Sequence, residues 1–543
     1  MTEIFHNCFI FKSFSTLVPA IQNAWKYSML GRLSFFLADC YKNSLTKRMW
    51  EGFLSAEDTT ALSLYGKAFD KIRNLLLIAS RIMGQSLFYR FLCLAREIHY
   101  RITRGSIVFR QINRLCLRQW LLAAFALYLP LDYLLRVKTS FGLFASAWEE
   151  LFILAAILLI LWRKALGQSK AIGRETPLDA YIILFMAVGF LLMSLVDPHP
   201  YIAMAGYRAQ VEYMVWFFLV IRLIEDDRDF KTVFYTMLGV GAMLALHGIY
   251  QYIIAVPIPA GWVSQTEMGV RTRVFSLTGS PNILGSLMVL TAPPAAAMAY
   301  YCKKVLTKLM FLGITGAMCL CLLFTFSRGA WVGMVVAVII FALYMDRRLL
   351  GILGAVMAAA LIFMPSITSR LTYLFTSDYA EASAVGGRAL RWVTGRLLLT
   401  ESNPWTGFGL GRFGGAVAMN NKLLEETEEF SYFYMDNYYL KTMVEMGYIG
   451  IIIFLILLAG LLVWGLRAVY RSGSELAEGT DPLAGAAGNY KAIAAGIFSG
   501  LCGVLVHCYF ENIFEEPYMM AYFWGLAAML MYLGFFKEEK SFG

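Results

Sequence analysis

Arg273, Arg328, Arg388 and Asp436 are the residues best placed to do chemistry in this sequence, and each stands beside long apolar runs. Arg273 lies in VRTRVFSLTGSPNILG (270–285) and Arg328 in FTFSRGAWVG (324–333). Arg388 shares GGRALRWVTGRLLLTESNPWTGFGLGRFGG (386–415) with Arg391 and Arg396, and all three fall on one broad helical face. An arginine near hydrocarbon is costly and persists mainly with a partner or an aqueous cavity. Ser327 and Gly329 give little bulk to shield Arg328 from lipid, which favours a cavity; Arg271 can instead snorkel to the headgroups. A planar guanidinium matches phosphate oxygens, so several together make an anion clamp.

Asp436 opens YMDNYYLKTMVEMGYIG (434–450). One reading makes it a helix N-cap, where a carboxylate complements the macrodipole. The other makes Asp436, Asn437 and the Tyr438–Tyr439 pair a carbohydrate site, since amides hydrogen-bond hydroxyls and aromatic rings pack on sugar faces. Glu445 is either a supporting partner or the polar edge of a span. GFGLGRFGG (407–415) is neither a dinucleotide fingerprint nor a P-loop; its amides could cradle an anion, or it could be a tight turn. Glu425, Glu426, Glu428 and Glu429 read as a solvated face. HExxH is absent, no outward DxD pair occurs, and none of the five histidines falls in residues 366–446, so no metal and no cofactor are expected.

The elements that must position these groups are membrane spans. The chain of 543 residues is 59% hydrophobic and only 15% charged, and its apolar runs are long enough to cross ~30 Å of hydrocarbon. We expect an all-α polytopic membrane protein with about twelve transmembrane helices, at roughly 119–136, 146–162, 178–196, 209–224, 232–255, 281–301, 305–326, 328–345, 349–365, 447–466, 492–510 and 517–536. The positive-inside rule orients them. Arg163, Lys164, Lys170, Arg174, Arg228, Lys231, Lys303, Lys304, Arg347, Arg348, Arg467 and Arg471 then fall inside, while Arg208, Arg273, Arg328 and one long loop before the last three spans fall outside.

Four regions follow. Residues 1–118 carry 17 Lys+Arg against 7 Asp+Glu and read as a basic cytoplasmic or membrane-surface region rather than a cleavable signal peptide. Residues 119–365 hold the first nine spans, 366–446 form the extracytoplasmic loop, and 447–543 hold the last three spans with a short tail. No zinc spacing or aromatic–basic module accompanies the basic surplus, so membrane lipid is the expected partner and nucleic acid is not. Nine cysteines form no CxxC pair, which argues against a disulfide framework.

Five pieces in order resemble the O-antigen ligase and polymerase superfamily of bacterial envelope glycosyltransferases. They are RVFSLTGSPN (273–282), FSRGAW (326–331), GRALRW (387–392), NPWTGFGLGRF (403–413) and DNYYLKTMVEMGYIG (436–450). The resemblance implies metal-independent, inverting transfer of a polyprenyl-pyrophosphate-linked glycan to the hydroxyl of a glycan or glycolipid acceptor. The place implied is the outer face of the cytoplasmic membrane. It gives Arg273 and Arg328 the pyrophosphate, with Arg208 and Arg388 as further binding candidates. It gives the acceptor and the base to the last motif: Asp436 as base, and Asn437, Tyr439 and Glu445 as binding residues, with Asn282 from the first motif. Ligases of this kind typically carry His where this chain has Asp436. An ordinary Asp, near ~3.9, is a weaker base than His near ~6.5. The departure leaves room for an O-antigen or exopolysaccharide polymerase of the same superfamily. A twelve-helix secondary transporter is the alternative of another class, but such proteins carry related halves and charges at the midplane, whereas here charge gathers at one face.

Overall fold

The computed structural model describes residues 115–138, 142–165, 171–196, 199–258, 272–363, 387–422, 433–474 and 490–537, with isolated positions elsewhere. The basic region expected over 1–118 therefore lies almost wholly outside the described residues, as do Arg271 and the acidic run 425–429. Among the described residues the fold is all helical, apart from one β-bridge between Asn403 and Gly407. The helices are α1 Leu117–Ala126, α2 Tyr128–Tyr133, α3 Gly142–Ala165, α4 Asp179–Val196, α5 Pro200–Val211, α6 Val215–Leu223, α7 Asp227–Ile253 and α8 Pro281–Tyr301. They continue with α9 Val305–Phe324, α10 Arg328–Tyr344, α11 Arg348–Phe363, α12 Arg388–Glu401, α13 Ala416–Asn421, α14 Tyr438–Ser474, α15 Tyr490–His507 and α16 Pro517–Phe535.

Seven of these, α4, α7, α8, α9, α14, α15 and α16, are long and apolar enough to cross a membrane by length and composition. The other expected spans differ for visible reasons. α10 and α11 are apolar but shorter, and α3 carries Glu149, Glu150, Arg163 and Lys164. The span expected at 119–136 is broken between α1 and α2. Pro130 has no N–H to give the carbonyl of Ala126. The hydroxyl of Tyr522 on α16 donates to that carbonyl at 2.9 Å and accepts the Leu129 N–H at 3.0 Å. The span expected at 209–224 is divided by a 3-10 turn, Glu212–Met214, between α5 and α6.

α8 and α15 form the centre of the bundle, and nearly all of both is buried. Pro293 and Pro294 inside α8 free carbonyls of the preceding turn, and glycines let α15 approach that backbone. A Cβ on Gly500 would lie 2.6 Å from Leu290 O, and one on Gly496 would lie 2.7 Å from Pro293 O. On the other side of α15, Gly333 of α10 faces Gly503 O, where a Cβ would stand at 2.6 Å.

The bundle has two distinct ends. At one, Tyr490 at the start of α15 donates to Asp227 at the start of α7 (2.6 Å), and Tyr301 at the end of α8 meets Tyr490 at 3.3 Å. α8, α10, α14 and α16 begin at the opposite end, where the residues below converge.

Candidate active site

α14 starts at Tyr438, earlier than the residue 447 expected for that span, and is kinked at Gly447, whose φ is +67° and ψ −169°. Its first turn is capped by Asn437, whose Oδ1 accepts the Leu440 N–H at 3.0 Å. Asp436 is thereby left for another task. Its Oδ2 accepts from Arg388 Nε at 2.8 Å and its Oδ1 from Trp392 Nε1 at 3.0 Å, with Arg391 NH1 3.9 Å away. Arg388 and Trp392 sit one turn apart on α12, so a single helical face grips both carboxylate oxygens. Arg396, further along α12, is exposed.

Arg388 reaches onward: its NH2 donates to Phe510 O at 2.9 Å, in the turn between α15 and α16. The next residue, Glu511, accepts from the side-chain amide of Asn282 at the head of α8. The carbonyl of that amide accepts from Arg273 NH2 at 3.2 Å, and Arg273 Nε donates to Thr325 O at 3.0 Å. Thr325 follows α9 and precedes Phe326, held at φ +52°, and Arg328. Gly329 is pressed against the turn after α15, where a Cβ would stand 2.7 Å from Phe510 Cβ and 2.8 Å from His507 Cδ2. Buried His507 itself meets Ser286 Oγ at 2.5 Å. Arg273, Asn282, Arg328, Arg388 and Asp436 thus come to one place, with Glu511, Trp392 and Arg391 among them.

The remaining expected site residues are engaged elsewhere. Arg208 is half exposed and pairs with Glu150 and Glu212, each at 2.6 Å. Tyr439 donates its hydroxyl to Leu505 O at 2.7 Å. Glu445 is buried, and its Oε2 meets Lys441 Nζ at 3.1 Å; the same ammonium meets Glu515 at 3.2 Å. Glu445 Oε1 accepts the N–H groups of Gly411 (3.1 Å) and Phe413 (3.3 Å), and Glu515 Oε1 accepts that of Ala416 (2.7 Å). The amides of the glycine-rich loop do cradle anions, and the anions are the protein's own carboxylates. The loop is an anchor that sets α12 and the start of α14 in register.

Three acids between α15 and α16 have unlike surroundings. Burial alone would raise Glu515, but the Lys441 ammonium, the Ala416 N–H and Asn512 hold it below the usual carboxylate value. Burial raises Glu511; Arg388 opposes that shift and Asp436 adds to it. Glu516, with Glu515 beside it, is pushed by burial from 4.5 up to about 7. A carboxyl whose folded value lies above its unfolded one favours folding at low pH, and that contribution disappears as pH rises through about 7. Glu516→Gln should therefore stabilise the protein more at pH 8 than at pH 5, by on the order of 1–3 kcal/mol, read as the difference in thermal midpoint shift at the two pH values.

Neither Trp392 nor Glu511 was singled out from the sequence. The four-residue spacing of Arg388 and Trp392 was a usable signal. ENIFEEP (511–517), an acidic patch between two apolar runs on the arginine side of the chain, was another.

Residues 313–455, from within α9 to the kinked α14, match the family model described as O-antigen ligase. No curated protein matches the chain. The matched segment contains Arg328, Arg388, Trp392, Asp436 and the anchor loop. That match makes this segment similar to the O-antigen ligase family and supports the O-antigen ligase/polymerase superfamily for the chain.

Proposed function

We propose that the protein transfers a glycan from a polyprenyl-pyrophosphate carrier to a hydroxyl of a glycan or glycolipid acceptor, with inversion, at the outer face of the cytoplasmic membrane. The observation that carries this reading is the charge of the converged cluster. Three guanidinium groups, of Arg273, Arg388 and Arg391, gather around two carboxylates, Asp436 and Glu511, at one end of an apolar bundle, where α10 also begins with Arg328. The surplus is positive, as an anion clamp requires.

Breaking the bond between the anomeric carbon and the phosphate oxygen leaves new negative charge on the pyrophosphate. Arginines already fixed in place stabilise that charge without reorganising, which is usually the largest contribution to such a step. Arg273 is fixed by Thr325 O and Asn282, and Arg388 by Asp436 and Phe510 O. Trp392 and the exposed Tyr509 meet edge to face, with ring centroids 5.5 Å apart, and offer an aromatic wall to a sugar ring. Residues 1–118 would lie on the inner leaflet, held by anionic lipid.

Arg328→Ala and Asp436→Ala should each abolish surface glycan assembly while the protein still inserts. Normal long-chain glycan in both variants would remove the proposal. Glycan profiling of a deletion strain separates the two activities within the superfamily. Capped single repeats on the acceptor mark a polymerase, and lipid-linked polymer with a bare acceptor marks a ligase.

A further inference from the structure

We infer that Glu511 is the group that takes the proton from the acceptor hydroxyl, and that Asn282 is the positioning residue that aims it. This rests on the glycan-transfer reading of the same site. The geometry divides the two carboxylates of the cluster by what their oxygens already do. Each oxygen of Asp436 holds a close donor, Arg388 Nε at 2.8 Å and Trp392 Nε1 at 3.0 Å. A carboxylate so held fixes a guanidinium and an indole, and taking up a proton would weaken its ion pair with Arg388. Glu511 Oε2 accepts from the Asn282 amide, while among the described residues its Oε1 accepts only the Asn512 N–H, at a long 3.4 Å. It lies on a turn rather than a helix, beside the Phe510 carbonyl that Arg388 grips.

Asn282 links the two halves of the reaction. Its carbonyl accepts from Arg273, a clamp residue, and its amide donates to Glu511. Any shift of Arg273 as the pyrophosphate binds is passed through one planar amide to the carboxylate. The step balances. The acceptor O–H proton goes to Glu511 Oε1, and the acceptor oxygen bonds to the anomeric carbon. The bond from that carbon to the carrier oxygen breaks, and its electron pair leaves on the polyprenyl pyrophosphate.

The groups facing Glu511 agree with this role. Burial and Asp436 favour its neutral form, Arg388 and Asn282 favour its charged form, and the net shift is upward. The buried Cys508 thiol on the same turn is itself pushed up, by burial first and then by Glu511. His507, the nearest histidine, is buried and meets Ser286 through Nδ1, while its Cδ2–Nε2 edge faces Gly329. A base raised above its own ordinary value makes transfer slow as pH falls through that raised value.

The test uses the purified full chain mixed with membranes of a deletion strain in which the lipid-linked donor has accumulated, with initial transfer rates measured from pH 5 to 9. Glu511→Gln should lose roughly 10²–10⁴-fold in rate, the span general-base groups contribute, and its residual rate should no longer fall on the acid side. Glu511→Asp should recover part of the rate and restore the acid-side fall, which separates lost chemistry from lost folding. Asn282→Ala should lower kcat with little change in KM for the donor membranes. The inference is overturned if Glu511→Gln keeps the acid-side fall and stays within about threefold of the unsubstituted protein, against the expected span. It is overturned equally if Asp436→Asn, and not Glu511→Gln, removes that fall. Both outcomes leave the glycan-transfer reading standing. That reading fails instead if no donor accumulates, or if Arg273→Ala and Arg328→Ala transfer normally.

Discussion

Lys441→Met should destabilise the full chain by roughly 3–5 kcal/mol, the cost of leaving buried charge without its partner, and the loss should deepen as pH rises. Lys441 is buried between Glu445 and Glu515, 3.1 and 3.2 Å from their oxygens. Methionine keeps most of the side-chain volume, so the change is almost purely electrostatic. Without the ammonium, two carboxylates face each other in a dry site, and one of them must take up a proton. In the unsubstituted protein Glu515 is held below its ordinary value, mainly against burial by Lys441. Its contribution is therefore present at neutral pH and lost only as pH falls through that lowered value. In the variant the sign reverses: the pair holds a proton more tightly when folded, so it favours folding at low pH and loses that contribution as pH rises. The gap in thermal midpoint between the two proteins should widen from pH 5 to pH 8. A gap that ignores pH would mean that this triad does not govern stability. The glycine-rich loop hangs on the same carboxylates through Gly411, Phe413 and Ala416, so glycan transfer should fall with the stability.

Gly447→Ala should be nearly as damaging, for a reason of backbone geometry. At φ +67° and ψ −169° the residue sits in a region essentially reserved for glycine, and a Cβ there would lie 2.3 Å from Trp405 O and 2.5 Å from Gly407 N. The kink frees the carbonyls of Val444 and Glu445, which accept from Phe408 (2.7 Å) and Gly409 (3.1 Å). It also frees the N–H groups of Tyr448 and Ile449, which donate to Pro404 O (2.8 Å) and Trp405 O (3.1 Å). One glycine thus joins the NPWTGFG segment to α14 by four backbone hydrogen bonds. Alanine adds strain of about 1–3 kcal/mol before any contact is counted, and relieving the clash must break part of that joint. Gly313→Ala is the control. It lies inside α9 with nothing within 4 Å of a would-be Cβ, and alanine is the better helix former by up to about 1 kcal/mol. Equal thermal midpoints for the two variants would contradict the docking argument.

Where secondary structure is local, the sequence was readable. The runs at 178–196, 281–301, 305–326 and 517–536 became α4, α8, α9 and α16 with ends within about two residues, because a long apolar segment in lipid must close its own backbone hydrogen bonds. The span expected at 119–136 runs through Pro130, and the hydroxyl that satisfies the backbone at the break there belongs to Tyr522, almost four hundred residues later. The residue types of the site were readable too, since arginines and an acid beside hydrocarbon are conspicuous. Their partners were not. The position of Asp436 suits a cap, yet Asn437 caps; Glu445 suits a binding residue, yet in the structure it anchors a loop.

What the sequence determined alone was chemistry by inventory: an all-helical membrane protein with guanidinium groups and a carboxylate near one end of its spans. Hydrophobic length and charge cost are properties of segments, so they can be read one segment at a time. What only the tertiary structure decided was which oxygen each donor takes. A carboxylate's role depends on which donors its oxygens already hold and how closely. For Asp436 and Glu511 those donors are brought together from α8, α12 and the turn after α15, far apart along the chain.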